Sequence, residues 1–413
     1  MFKNLFSKVA VAALATAAGV TAAHAQSAPA PTHSTSWTGT VGEDRFGDAR
    51  FKMRGRFQYD VQSNDWDVLN EDGTRTYVRR AFLGVQGRLT ENWRYKVDFI
   101  LSPGDDAAGQ VGVDDAFLEY VTNDWSIVIG EHNITSPLED RISSLDIPFI
   151  ERSSVINAFE YGRAAGIGFI MGGANWSFST ALQGDSLNNA DTNFAADERT
   201  SVSGRFTFAP IFETSPEGVT LVHLGLTARA RDIGDDAVVR YRSRPLNGRG
   251  TRWIDAGAGL AGETDTAFGA ELALQRGPFG LQAEYHVLEG ETTGGVDFDF
   301  NGYYVDAYWS LTGESRAYRG NQGSFGAIAP TRPFGVDGGI GHLMLSARYD
   351  YLDLSDPAGA ATRGEQTAYN IGLDWIPVDH VRFKLNYAVT DMDRTVGADD
   401  EASIITLRSQ FDF

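Results

Sequence analysis

The chain has 413 residues, no cysteine and a formal net charge of −20, with 55 acids against 35 cations. Lacking thiols, it has no disulfide framework and no thiolate chemistry or thiolate metal site, and its acidic balance argues against nucleic acid as a partner.

Residues 1–25 read as a cleaved secretory signal: Lys3 and Lys8 precede an alanine-rich apolar run that ends in Ala23-His24-Ala25. Without them 33 cations remain, of which 30 are Arg and three are Lys (Lys52, Lys96, Lys384), and the charge becomes −22. No later apolar stretch reaches about 18 residues, so no transmembrane helix is predicted. Residues 26–48, with Pro29 and Pro31, read as a flexible N-terminal lead-in.

From 49 to 413 the pattern changes to segments of about 10 residues that alternate with period two, divided by Gly, Asn, Asp and Pro. FKMRGRFQYD at 51–60 puts Lys52, Arg54, Arg56, Gln58 and Asp60 on one face of a strand and Phe51, Met53, Phe57 and Tyr59 on the other. The same alternation recurs at 93–101, 176–183, 221–231, 281–287, 343–351 and 381–389, and in the closing SIITLRSQFDF. Rings sit near segment ends (Trp93, Trp125, Trp176, Trp309, Trp375, Tyr349, Tyr351, Tyr387), as at two membrane interfaces. Connections alternate between very short and long, acidic and Gly-rich. These features predict an all-β fold, a transmembrane antiparallel β-barrel of the outer membrane; the length fits sixteen strands and leaves eighteen open. Two long segments that alternate poorly, 131–163 and 312–338, are expected to fold into the lumen, the first as a constriction loop.

Several blocks resemble the phosphate-selective porin family of Gram-negative outer membranes: VRRAFLGVQGRL at 78–89, DDAFLEY at 114–120, the stretch from IGEHN to PFIERS at 129–153, YRSRP at 241–245, GYYVDAYWSLTGESRAY at 302–318 and GEQTAYNIGLDWIP at 364–377. The resemblance implies a homotrimer in outer-membrane lipid and lipopolysaccharide, with a line of arginines leading phosphate-like inorganic anions to a lysine-rich constriction. Here His132-Asn133 stands where family members tend to carry Lys, and the second insert offers Arg316, Arg319 and Arg332 but no Lys.

If apolar alternates face lipid, sixteen cations face water, among them Lys52, Arg54, Arg56, Arg205, Arg348 and Arg408. Arg240, Arg242 and Arg244 would make a ladder down the wall for a passing anion. Arg54 and Arg56 are assigned to the same path, together with Arg316 and Arg319. Arg141 and Arg152 belong to the constriction, where, like Arg163, they have nearby carboxylates (Glu139, Asp140, Glu151, Glu160) available for bracing. No metal or cofactor is predicted. The mature histidines (His33, His132, His223, His286, His342, His380) are scattered singly, so no catalytic residue is assigned. The function expected is passive, anion-preferring diffusion. A general diffusion porin of weak selectivity, a structural barrel and an outer-membrane hydrolase remain as alternatives.

Overall fold

The computed structural model describes residues 38–40, 50–102, 111–188, 199–233, 240–256, 260, 262–356 and 363–413. The signal segment 1–25 lies outside them, as does most of the lead-in; within the latter, Thr38–Thr40 pairs with residues 50–52 as a short strand.

Among the described residues, sixteen antiparallel strands close into one barrel: β1 (Arg50–Trp66), β2 (Gly73–Arg88), β3 (Trp93–Ile100), β4 (Gly112–Val121), β5 (Trp125–His132), β6 (Ala164–Gly172), β7 (Trp176–Gln183), β8 (Thr200–Ser215), β9 (Gly218–Asp232), β10 (Gly262–Arg276), β11 (Phe279–Thr292), β12 (Asp297–Ser310), β13 (His342–Asp353), β14 (Gly364–Val378), β15 (Val381–Arg394) and β16 (Asp400–Asp412). Each pairs with its neighbours, and β1 closes on β16 from Arg56↔Asp412 to Trp66↔Ala402. Closure satisfies every edge, which is what a strand in hydrocarbon requires. The register follows the alternation: Gln58, Asp60 and Gln62 are buried inside while Tyr59 is exposed. A slip of one residue in 51–60 would place three cations against lipid, at about 2–4 kcal/mol each near the midplane.

Six short turns and both ends of the barrel lie at one rim, the periplasmic one by the rule for bacterial barrels. All five predicted interface tryptophans sit at this rim, and Trp93, Trp125 and Trp309 are exposed there. Tyrosines pack toward the opposite, external rim, where Tyr303 lies 5.8 Å from Tyr349 and 5.4 Å from Tyr351.

Three segments fold inward. The first, 133–163 between β5 and β6, contains the short helices α1 (Leu138–Arg141) and α2 (Ser154–Ala158). It starts on the β6–β8 wall, where Ile134 packs over Gly168; a Cβ there would come within 2.2 Å of its Cδ1. It then crosses the lumen to β13–β16 and β1. The second, 311–341 between β12 and β13, enters from the periplasmic rim and reaches across to β7 and β8, where Arg205 donates to the carbonyls of Gln322 (3.1 Å) and Gly323 (2.7 Å). The third was not anticipated. Residues 240–256, between β9 and β10, turn inward at the external end, and Tyr241 and Trp253 join Trp66, Phe298, Phe300 and Phe159 of α2's segment in an apolar cluster.

Candidate functional site

The lumen wall contains two populations of cation. In the first, each guanidinium is fully buried against carboxylates. Arg408 holds Asp60 through two 2.7 Å bonds and Glu151 at 3.0 Å. Arg348 holds Asp306 through two bonds of 2.7 Å and also donates to Glu139. Arg205 grips Glu271, and Arg231 grips Asp265. In each of these pairs the forked donor meets a planar acceptor, which fixes geometry as well as charge. Their job is to stitch the inserts to the wall. Glu151 of the first insert binds Arg79 (2.8 Å twice), Arg80 (3.7 Å) and Arg408, while Glu284 accepts from the α1 backbone at Leu138 (3.1 Å) and Glu139 (2.7 Å). The second insert is held at its base by Glu314, which accepts from Thr312, Thr331 and His342. Burial pushes this carboxyl up, but those hydrogen bonds outweigh it and hold it down at about 2.

The second population stays open. Arg50, Lys52, Arg54 and Arg56 ascend β1 on alternate positions, a ladder of about 20 Å from the periplasmic rim at roughly 3.3 Å per residue. At its top, Arg56 donates to Ser144 Oγ of the first insert at 2.8 Å and stacks over Phe82 at 4.6 Å. Arg54 donates to Gln86 (2.7 Å) and lies 3.4 Å from Asp98. Below them opens a vestibule of about 900 Å³ lined by Arg50, Lys52, Arg88, Arg94, Lys96 and Glu119. Lys96 is tied to Asp98 and Asp115, whereas Arg50, Lys52, Arg88 and Arg94 make no ion pair with any described residue. A smaller space of about 170 Å³ adjoins it through Arg94 and Glu119, bounded above by Arg141 and at the side by Asn321 and Gln322 of the second insert. With a screening length of about 8 Å at physiological salt, charges on the wall act on an ion that passes close to them.

The predicted ladder on 240–244 is not on a barrel strand. Arg242–Ser243 pairs with Ile254–Asp255 in a two-stranded piece of the third insert, and Arg240 binds Asp255 at 2.7 Å. Tyr241, which the alternation would have turned to lipid, is instead fully buried, 5.3 Å from Phe300, and Pro245 supplies no N–H for a ladder. Apolar partners inside the external mouth therefore outcompete the bilayer for this ring. Arg152 braces the first insert, with Asp140 at 3.4 Å and carbonyls of Glu139, Asp140 and Ile142. Arg141 donates to the Asn133 carbonyl at 3.2 Å. Arg163 pairs with Asp114 and Asp115 of β4 and not with its sequence neighbour Glu160. Arg316 is 1% exposed, stacked over Phe325 of the second insert (4.2 Å) and Tyr308 of β12 (5.1 Å), so it is enclosed between insert and wall, away from the lumen water. Arg319 is exposed, near Gln322.

Sequence reasoning missed Arg79, Arg80, Arg88 and Asp114. Two β-bulges account for three of these. Between Gln58↔Arg80 and Tyr59↔Val78 the extra residue is Arg79, and between Asp98↔Asp115 and Phe99↔Val113 it is Asp114. Each bulge turns two consecutive charged residues inward, which strict alternation forbids. The paired charges RR and DD inside otherwise alternating strands were the available signal.

The chain matches the family model described as phosphate-selective porin O and P over residues 51–413. It is 33% identical over 405 residues to an uncharacterized protein of Caulobacter vibrioides, covering 94% of this chain and 79% of that one. Porin O of Pseudomonas aeruginosa is 28% identical over 403 residues, with 88% of each chain covered. Among solved structures, the outer membrane channel DcaP of Acinetobacter baumannii (TM-score 0.55, 12% identity, 88% of this chain and 97% of that one) has the same fold. So does an anion-selective porin from Comamonas acidovorans (TM-score 0.54, 11% identity, 88% and 100%). The closed sixteen-strand barrel, its inward-folded segments and these matches together place the chain in the phosphate-selective porin O and P family, as a porin of the outer membrane.

Proposed function

We propose that this porin conducts small anions in preference to cations, phosphate-like anions among them, and that the β1 ladder with the vestibule below it is the selective element. The observation that carries this reading is the vestibule lining: Arg50, Lys52, Arg88 and Arg94, which make no ion pair with any described residue, stand against the single carboxylate of Glu119. The buried pairs of the upper lumen cancel their own charge, so the unneutralised part of the wall sets the field that a permeant ion meets. Several weak cationic positions two residues apart suit conduction, because an ion passed between them is never held tightly by one. The family's phosphate preference supports phosphate among the permeants. In planar bilayers, added phosphate is expected to reduce the chloride current in a saturable way, and Lys52→Gln with Arg54→Gln to weaken that block. A chloride current indifferent to phosphate would reduce the reading to a general diffusion pore.

For assembly we favour a homotrimer that buries the β3–β7 wall between copies. Three of these strands, β3, β5 and β7, have eight residues, whereas β8–β16 have 12 to 16. At a tilt of about 45° eight residues span about 19 Å, short of the roughly 25 Å apolar band of such barrels. Their outer faces are nonetheless apolar and exposed, with Phe99, Leu118, Ile129, Ile167 and Leu182. A second copy covers such a low wall better than lipid; the taller strands face lipid and lipopolysaccharide.

A further inference from the structure

The inner face of an outer-membrane barrel is ordinarily polar. On β4–β7 a few apolar side chains interrupt it. Val128 (2% exposed) and Ala181 (4%) form an inward apolar patch on which Ile134 of the first insert lies, and Phe117 and Ile170 flank it. Packing of the insert buries Val128, Ala181 and Ile134 against one another. Phe117 and Ile170 are covered only in part: the open side of Phe117 faces the vestibule and that of Ile170 the smaller adjoining space. Phe117 stands directly across from Lys96 in the β3–β4 register and two positions from Glu119, whose cross-strand partner is Arg94. Ile170 borders the adjoining space beside Arg94 and Arg141. Inorganic phosphate has no use for either side chain and fills a small part of about 900 Å³, a volume in the range of about 300–1,000 Å³ typical of sites for drug-sized ligands.

We infer that the vestibule is a binding site for organic anions with an apolar body, of the aryl phosphate or aryl carboxylate class. The anionic group meets Lys52, Arg88 and Arg94, and the ring lies against Phe117. The inference rests on the anion-conducting reading and narrows it to a substrate class. The cations draw the charged end in, and the wet apolar wall gains by being covered. Because the site opens at the periplasmic rim, the organic anion reaches it more readily from that side.

The test uses the full-length porin in planar bilayers, with chloride current measured while phenyl phosphate or inorganic phosphate is added to the periplasmic side. Half-block by phenyl phosphate is expected at about a tenfold lower concentration than by phosphate, a difference of about 1.4 kcal/mol. Phe117→Ala is expected to bring the two concentrations within about twofold, and Phe117→Tyr to restore the gap. Phe117→Thr gives the same reading if Phe117→Ala yields no channels. Equal block by the two compounds in the wild type, or a ratio untouched by Phe117→Ala and Phe117→Thr, would overturn the inference while leaving anion conduction standing. Block by neither compound in a cation-preferring pore would overturn the anion-conducting reading itself and this inference with it.

Discussion

Glu151 holds the constriction loop by a single buried carboxylate, 5% exposed, that faces Arg79, Arg80 and Arg408. Glu151→Gln keeps the shape and removes the charge. Arg408 retains Asp60, but Arg79 and Arg80 lose the carboxylate that neutralises them. Removing one partner of a buried pair destabilises by about 3–5 kcal/mol, chiefly because the remaining charge is left uncompensated. The loop has other anchors: Arg348 to Glu139, the Ile150 N–H to Asn386 at 2.7 Å, and Lys384 to the Ile147 carbonyl. It is therefore expected to stay inside the barrel while residues 144–152 detach transiently. A loss of 3–5 kcal/mol multiplies the detached population by roughly 10² to 10³·⁵. Single-channel recordings should show new fluctuations between conductance levels, and the anion-to-cation permeability ratio should rise as two guanidiniums are released to the lumen. Quiet channels with an unchanged ratio would show that Glu151 does not pin the loop.

Two further outcomes follow from the structure. Ile167→Arg places a charge on the low outer wall and is expected to convert trimers to monomers on unheated gels, whereas the same change at Leu373 of the taller wall should leave the oligomer intact; equal behaviour of the two would contradict the assembly proposed. Glu314 is held below its ordinary value of 4.5, at about 2, so its stabilisation of the second insert is complete above the higher figure and is lost as pH falls through the lower. Acidifying the periplasmic side should therefore induce current fluctuations that set in below about pH 4.5 and are complete below about 2, and Glu314→Gln should show them at pH 7; silence of that variant would disprove the anchoring role.

The barrel was legible because the bilayer enforces it: period-two alternation, short turns and interface rings are each demanded by lipid, and nothing inside the molecule competes for those residues. The first two inserts, at 133–163 and 311–341, lie where alternation is poor. It failed as a guide at 240–244, because YRSRP alternates like a strand while Tyr241 is satisfied by Phe298 and Phe300, far away in sequence. The division of arginines into bracing and open groups depends on which carboxylate lies across the sheet or on an insert, as with Arg348 and Asp306 or Arg408 and Glu151, separations that sequence proximity does not reveal. On β1, Lys52, Arg54 and Arg56 of 51–60 share one face by the rule of alternation alone, and Arg50 just before them extends the row.

The central proposal is that an unneutralised cationic vestibule makes the pore prefer anions. The most direct measurement is the zero-current potential in a potassium chloride gradient, for the wild type and for a variant with Arg50, Lys52, Arg88 and Arg94 all changed to Gln. The account predicts an anion-preferring potential that moves toward, or past, neutrality in the variant. A cation-preferring wild type, or a variant with the wild-type potential, would contradict it.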